Sequence, residues 1–223
     1  MVHSIVSLVD VDNTLLDNDA VSQDLRHHLE RHLGASSRDR YWAIFEEIRS
    51  EIGYADYLGA MQRYRLERPD EPRLLEISLF LIDYPFAGRL FPHALDVLAS
   101  LRRLGPVVIF SDGDAVFQPR KIARSGLWHA VDGHVLIYVH KEEMLHDVET
   151  RYPAAHYVLI DDKLRILDAV KTVWRDRLTT IFPRQGHYAL DPAVVAKYPA
   201  ADVTVEHIGD LVEWTPDQHV PER

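Results

Sequence analysis

Six short apolar runs rich in β-branched residues punctuate the sequence, at 5–9, 107–110, 135–139, 157–160, 178–182 and 203–205. Runs of that length with flanking polar residues read as buried strands. From Pro92 onward, helical stretches separate most of them: 94–103, ended by Gly105; 116–124, ended near Gly126; 142–151, ended by Pro153; and 164–173. Strands that alternate with helices build βαβ units, and right-handed crossovers then give an α/β fold on a parallel sheet. In such sheets ligands bind outside the carboxyl ends of the strands.

One connection breaks the rhythm. Between the first and second strands lies a long segment in which Leu25, Leu29 and Leu33, then Ile44 and Ile48, then Leu58, Met61 and Tyr64 recur at helical spacing. Pro69 and Pro72 break it near 67–73, and a further helical stretch at 74–82 precedes Pro85. The segment is too long for a connection. The expectation is a core of residues 1–20 and 91–223 with a helical cap domain, 21–90, inserted into it on two hinge-like linkers.

Composition narrows the functions open to such a chain. With 223 residues, 47% hydrophobic and 27% charged, it buries an ample core and is not a disordered class. A formal net charge of -10 argues against a broad nucleic-acid or anionic-membrane surface but allows a local basic pocket for a small anion. The absence of cysteine removes disulfides, thiolate catalysis and Cys-type zinc sites. No stretch approaches the roughly 20 apolar residues of a membrane span, and no secretory signal pattern opens the chain, so a cytoplasmic location is expected.

Four of the strands end in chemistry. The first runs into Asp10 and Asp12, the second into Ser111, Asp112 and Gly113, the third into Lys141 just beyond His140, and the fourth into Asp161 and Asp162. If the strands are neighbours, these groups face one crevice. Two carboxylates about 4 Å apart repel by roughly 4 kcal/mol at an effective dielectric near 20, so several acids at one point call for a cation or for protonation. A carboxylate set with no ligating His or Cys nearby favours a hard ion, most simply Mg²⁺, which takes one or two carboxylates together with substrate phosphate.

The bland readings stand beside this one. Asp and Asn after a strand commonly shape a turn, Ser111 could be a helix N-cap, and Lys141 could sit in the first turn of a helix with Lys121 as its rival.

Asp-Val-Asp-Asn-Thr-Leu at 10–15, Ser111, Lys141 and Asp161-Asp162, in that order and each after an apolar strand, resemble the four motifs of the haloacid dehalogenase superfamily. The resemblance spans nearly the whole chain, with 21–90 in the place of that family's helical cap. It implies a Rossmann-like core, Mg²⁺, a small phosphorylated substrate and an aspartyl-phosphate intermediate. By the same resemblance Asp10 is the nucleophile and Asp12 the acid and base for the leaving group and the water. Ser111 donates to a phosphoryl oxygen, and Lys141 orients Asp10. Asp112 and Gly113 complete the substrate contacts. The metal would be held by Asp10, the backbone carbonyl of Asp12, and Asp161 or Asp162, with Asp162 favoured. The chain departs from the family pattern at Asp161, where many relatives carry Gly, at Ile166, where many carry an acid, and at Asp112, where Asn is common.

An alkoxide leaving group needs a proton and a halide does not, so an acid two residues after the nucleophile favours phosphomonoester hydrolysis over a 2-haloacid dehalogenase. A β-phosphoglucomutase-like phosphotransferase would use the same groups, and a non-catalytic binding module of the same fold is the remaining alternative. The expected state is a monomer or homodimer. Elsewhere, His28 and His32 read as a solvated helix face rather than a zinc site. Tyr41, Trp42, Phe45, Tyr54 and Tyr57 read as cap core more than pocket wall, and Arg38, Arg40, Arg63, Arg65 and Arg68 as a solvated face.

Overall fold

A computed structural model describes residues 2–216. All six expected strands form, as β1 (His3–Val9), β2 (Val107–Asp112), β3 (Val135–Tyr138), β4 (Ala154–Ile160), β5 (Leu178–Pro183) and β6 (Val203–Val205). They make one sheet in the order β3-β2-β1-β4-β5-β6, and every neighbouring pair is parallel. The chain winds from β1 out to β3, then returns to the other side of β1 with β4. That reversal opens a crevice at the carboxyl ends of β1 and β4, the switch point at which doubly wound sheets bind ligands.

The middle strands are apolar along their length because both faces are covered. Val6 and Leu8 of β1 pack with Val108, Phe110 and Leu159 on one face, against Leu167 and Val170 of the helix after β4. Val9, Ile109, Val158 and Ile160 face the other way, against Ala94, Val97 and Leu101 of the helix before β2. Fully burying one such side chain contributes about 1.5–3 kcal/mol. Gly105 lies where β2 begins, and a Cβ there would come within 2.2 Å of the Ile5 carbonyl oxygen, so only glycine lets the chain pass so close to β1.

Four helices make up the insert that follows β1: α1 (Asn18–Leu33), α2 (Ala35–Ile52), α3 (Tyr57–Glu67) and α4 (Leu74–Asp83). The first begins three residues before the expected start, because Asp17 caps it by accepting from Ala20 N at 2.8 Å. Asp56 caps α3 through Gly59 N at 2.6 Å, and Gly53, left-handed at φ 85°, ends α2. Tyr41, Trp42, Phe45 and Tyr57 are buried and meet largely edge to face, as core aromatics do, but Trp42, Phe45 and Tyr57, with Tyr54, also line the cavity described below. Arg38, Arg40 and Arg63 are paired with surface acids, as a solvated face requires. His28 stacks on Phe80 at 4.1 Å, and neither it nor His32 belongs to a metal-ligating group among the described residues.

The segments leading into and out of the helical insert run side by side. Asp17 N donates to Arg89 O at 2.8 Å, Phe91 N donates to Leu15 O at 3.0 Å, and Leu16 bridges Leu90.

Of the remaining helices, α5 (Ala94–Leu101), α6 (Phe117–Arg124) and α7 (Leu127–Ala130) pack on the same face as the insert, and α8 (Leu145–Arg151) and α9 (Leu164–Trp174) cover the other. The helix expected over 142–151 is shorter than its pattern. Residues Lys141–Glu143 form a 3-10 turn and α8 starts only at Leu145. The reason is local: Lys141 N is held by Asp112 Oδ1 at 2.8 Å, which pins the turn to the end of β2. No helix among the described residues is long and apolar enough to cross a membrane.

Candidate active site

Asp10 follows the last residue of β1, and Asp161 follows the last residue of β4. Val9 and Ile160 are register partners, so the two acids emerge together. Asp10 N also donates to Ile160 O at 3.0 Å. Lys141 reaches this point from beyond β3. Its ammonium lies 2.6 Å from Asp10 Oδ1, 2.7 Å from Asp161 Oδ2 and 3.0 Å from Phe110 O. A fully buried ammonium is thus held by two hydrogen bonds, to Asp10 and Phe110 O, and by an ion pair with Asp161. Burial alone would push Lys141 down, but Asp10, Asp161 and Asp112 more than reverse this and hold it well above its ordinary value. It is a fixed positive charge. Lys121, the rival, is elsewhere.

The two acids after β4 divide in their surroundings. Asp161 Oδ1 accepts from Lys163 N at 2.9 Å and its other oxygen faces Lys141. Asp162 is held by its backbone, whose N donates to Thr14 Oγ1 at 3.0 Å, while both of its carboxylate oxygens are buried with no partner among the described residues. Asp10 Oδ2 is likewise unpartnered. Burial pushes the carboxyls of Asp161 and Asp162 up, furthest for Asp162. Oxygens of Asp10, Asp161 and Asp162 lie within 4.8 Å of one another. Buried acids with orphaned oxygens are costly unless a cation satisfies them, and an all-oxygen set of this kind fits Mg²⁺. The residues present therefore fit the ion that the motifs imply.

Asp12 stands apart from this trio. Its Oδ1 lies 2.6 Å from Lys121 Nζ, and its Oδ2 accepts from Gln118 Nε2 at 3.3 Å. Its side chain is thus no member of the acidic cluster, which leaves the backbone carbonyl as the only ligand it could offer there. Ser111 Oγ accepts from the same Gln118 amide at 2.9 Å and donates to Asp112 O at 3.2 Å.

Two of the expected substrate contacts serve another purpose. The carboxylate of Asp112 is turned toward Lys141 N, as an acid beside a phosphate site requires, and burial raises its pKa despite Lys141 nearby. Gly113 N donates to Tyr138 O at 3.0 Å, so that N–H is committed to the sheet. What demands glycine at 113 is Gln118, whose Cβ and Cγ lie 2.7 Å from where a Cβ would stand. Asp17, five residues beyond Asp12, takes no part in the cluster and is the cap of α1.

Sequence reasoning missed Gln118 and the true partner of Lys121, and it missed Lys163. A signal existed on α6: Phe117, Gln118, Lys121 and Ile122 form one buried stripe, and polar residues in a helix's inward stripe mark a site. Lys163 lines the cavity described next, its ammonium raised by Asp162, Asp10 and Asp161 against the downward pull of burial.

A cavity of about 760 Å³ joins this cluster to the helical insert. Asp12, Lys121, Asp162 and Lys163 form its floor, and Arg26, Trp42, Arg49 and Tyr54 stand on the insert's side. A parallel α/β sheet thus carries a buried acid trio and a fixed lysine at its switch point, the makings of a cation-assisted active site.

The family model of haloacid dehalogenase-like hydrolases matches residues 7–173, and this chain belongs to that family. A candidate haloacid dehalogenase-like hydrolase from Burkholderia xenovorans LB400 is 65% identical, with a TM-score of 0.92 over 96% of this chain and 99% of that one. At 16% identity, a candidate HAD-hydrolase from Bacillus subtilis, YfnB, bound to magnesium, shares the fold with a TM-score of 0.63 over 95% of this chain and 98% of that one. The L-2-haloacid dehalogenase of Xanthobacter autotrophicus with covalently bound chloropropionic acid does so at 18% identity and a TM-score of 0.61, over 96% and 98% of the two chains. Curated proteins yield no match.

Proposed function

We propose that this hydrolase is a Mg²⁺-dependent phosphomonoesterase that acts on a small phosphorylated metabolite through an aspartyl-phosphate at Asp10. The observation that carries the reading is the division of labour among the acids. Asp10 and Asp162 present unpartnered buried oxygens to one point, while Asp12 is held outside that cluster on the cavity floor. A nucleophile beside a cation site and a separate acid two residues on are what ester hydrolysis needs and halide displacement does not.

In this reading Asp10 attacks phosphorus, held in line by Lys141. Ser111 donates to a phosphoryl oxygen once substrate displaces its present contact with Asp112 O. Asp12 protonates the leaving oxygen and then takes a proton from the water that cleaves the acyl phosphate. Asp10, Asp162 and the Asp12 carbonyl would hold Mg²⁺, with Asp161 serving chiefly to anchor Lys141. The ion, when bound, offsets the charge of the phosphoryl group. Residues 21–90, or from the capped start of α1 at Asn18, act as the cap over a core of 1–20 and 91–223. The fold kinship with L-2-haloacid dehalogenases keeps dehalogenation as the alternative outcome of the assay.

The test is phosphate release from p-nitrophenyl phosphate and a panel of sugar and nucleotide phosphates, with and without Mg²⁺, beside Asp10→Asn. Mg²⁺-dependent release lost in Asp10→Asn supports the reading. Halide release from 2-chloropropionate without metal, and no phosphate release, replaces it with dehalogenation. Conversion of a sugar phosphate into its isomer would indicate a phosphomutase.

A further inference from the structure

Lys121 has no part in the reaction above. Its side chain is 1% exposed, and among the described residues its ion pair is with Asp12, at 2.6 Å. The same ammonium donates to Asn18 Oδ1 at 3.0 Å. One turn earlier on α6, Gln118 binds the other Asp12 oxygen and Ser111 Oγ together. Both oxygens of Asp12 are therefore fixed from a single helix, and that helix also fixes the hydroxyl expected to meet the phosphoryl group. A buried lysine is a poor way to gain stability, since an apolar side chain of similar volume commonly does as well. What the ammonium adds is direction.

We propose that Lys121 is a positioning residue for the acid–base step, holding the Asp12 carboxylate toward the leaving oxygen. It also ties that carboxylate to the helical insert, because Asn18 opens α1 and donates to the buried Tyr57 hydroxyl at 3.2 Å, which in turn meets Ser22 Oγ at 2.7 Å. The inference rests on the phosphomonoesterase reading. As the bond from Asp10 to phosphorus forms, the bond from phosphorus to the leaving oxygen breaks, the electron pair stays on that oxygen, and the proton of Asp12 moves to it. In the second half Asp12 takes a proton from water as the water oxygen bonds to phosphorus and the Asp10 carboxylate departs. An Asp12 out of line fails at both protons, most severely where the leaving group is a strong base.

The test compares p-nitrophenyl phosphate, whose phenolate leaves with little need of a proton, with the alkyl phosphate that the native chain hydrolyses fastest. Lys121→Met should lower kcat on the alkyl ester by about tenfold or more beyond its effect on the aryl ester, with both KM values held within about threefold. Adding Lys121→Met to Asp12→Asn should cost no more than about twofold on either ester, because the residue to be positioned is already disabled. Asn18→Ala, which leaves both charged groups in place, should show the same bias toward alkyl esters in smaller measure, and it decides the matter if Lys121→Met does not fold by circular dichroism. Equal losses on the two esters, full additivity with Asp12→Asn, or a native chain that turns over aryl esters alone would overturn the proposal. A native chain with no phosphomonoesterase activity at all overturns the underlying reading instead, and that result is visible without any Lys121 variant.

Discussion

Lys141 Nζ sits 2.6 Å from Asp10 Oδ1, both residues buried, joining the end of β1 to the turn after β3 across the intervening β2. Removing the ammonium strands two buried carboxylates at once. Lys141→Met should therefore destabilise the fold by about 3–5 kcal/mol in urea denaturation. Turnover of p-nitrophenyl phosphate should fall by about a hundredfold or more. Adding Asp10→Asn should recover part of the stability and none of the turnover, since one orphaned charge disappears while the nucleophile is also lost.

Asp162 carries the opposite expectation. Its two oxygens are buried and unpartnered, so without a cation its charge is a liability. Asp162→Asn should leave the melting temperature in EDTA unchanged or raised. Saturating Mg²⁺ should raise that of the native chain, by the equivalent of about 2.7 kcal/mol at a hundredfold excess over Kd, and should not raise that of the variant. A native chain whose melting is indifferent to Mg²⁺ would count against the acid trio as a metal site.

Asp112 accepts from Lys141 N and needs no charge for that purpose. An asparagine oxygen accepts equally well, so Asp112→Asn should keep kcat within about threefold of native, whereas Asp112→Leu should lose about tenfold or more by loosening the turn that carries Lys141. Parallel losses in both variants would show that the negative charge itself matters.

Asp19, in the first turn of α1, accepts from His187 N at 2.8 Å and meets its Nδ1 at 2.6 Å, clasping the insert to the short helix Gly186–Leu190 that follows β5. Burial acts to raise its pKa, but the bonds from His187 and Asn13 win and hold it below the ordinary carboxyl value. A folded pKa below the unfolded one contributes stability that is present above about pH 4 and is lost as pH falls through the folded value. The melting temperature of the native chain should exceed that of Asp19→Asn at pH 7, and the gap should close below about pH 4. A gap that persists at low pH would mean that the clasp does not depend on the carboxylate.

Much of this was legible from the chain alone, and the reason is geometric. Val9, Phe110 and Ile160 are the last apolar residues of strands buried on both faces, so their positions set where Asp10, Ser111 and Asp161 emerge before any side chain is placed. Parallel neighbours then bring those groups together. The destination of a long side chain is another matter. Lys121 stands as a rival to Lys141 by sequence, because each ends in a flexible four-carbon stem. Only the rotation of α6 and the short turn after β3 decide that one reaches Asp12 and the other Asp10. Gly113 is expected among the substrate contacts, yet its N–H is bonded to Tyr138 O and its missing side chain makes room for Gln118, a contact that no local pattern reveals. The late start of α8, at Leu145 and not at 142, has the same origin, in the bond from Lys141 N to Asp112.

The central claim is that Asp10 becomes covalently phosphorylated. Mixing the native chain with Mg²⁺ and a substrate from the panel, quenching in acid and reducing with borohydride converts an aspartyl-phosphate to homoserine, which peptide mass spectrometry locates. The account predicts homoserine at position 10, dependent on both substrate and Mg²⁺, and absent from Asp10→Asn. Turnover of the same substrate with residue 10 unmodified under conditions that accumulate the intermediate, or label at another acid, would contradict it.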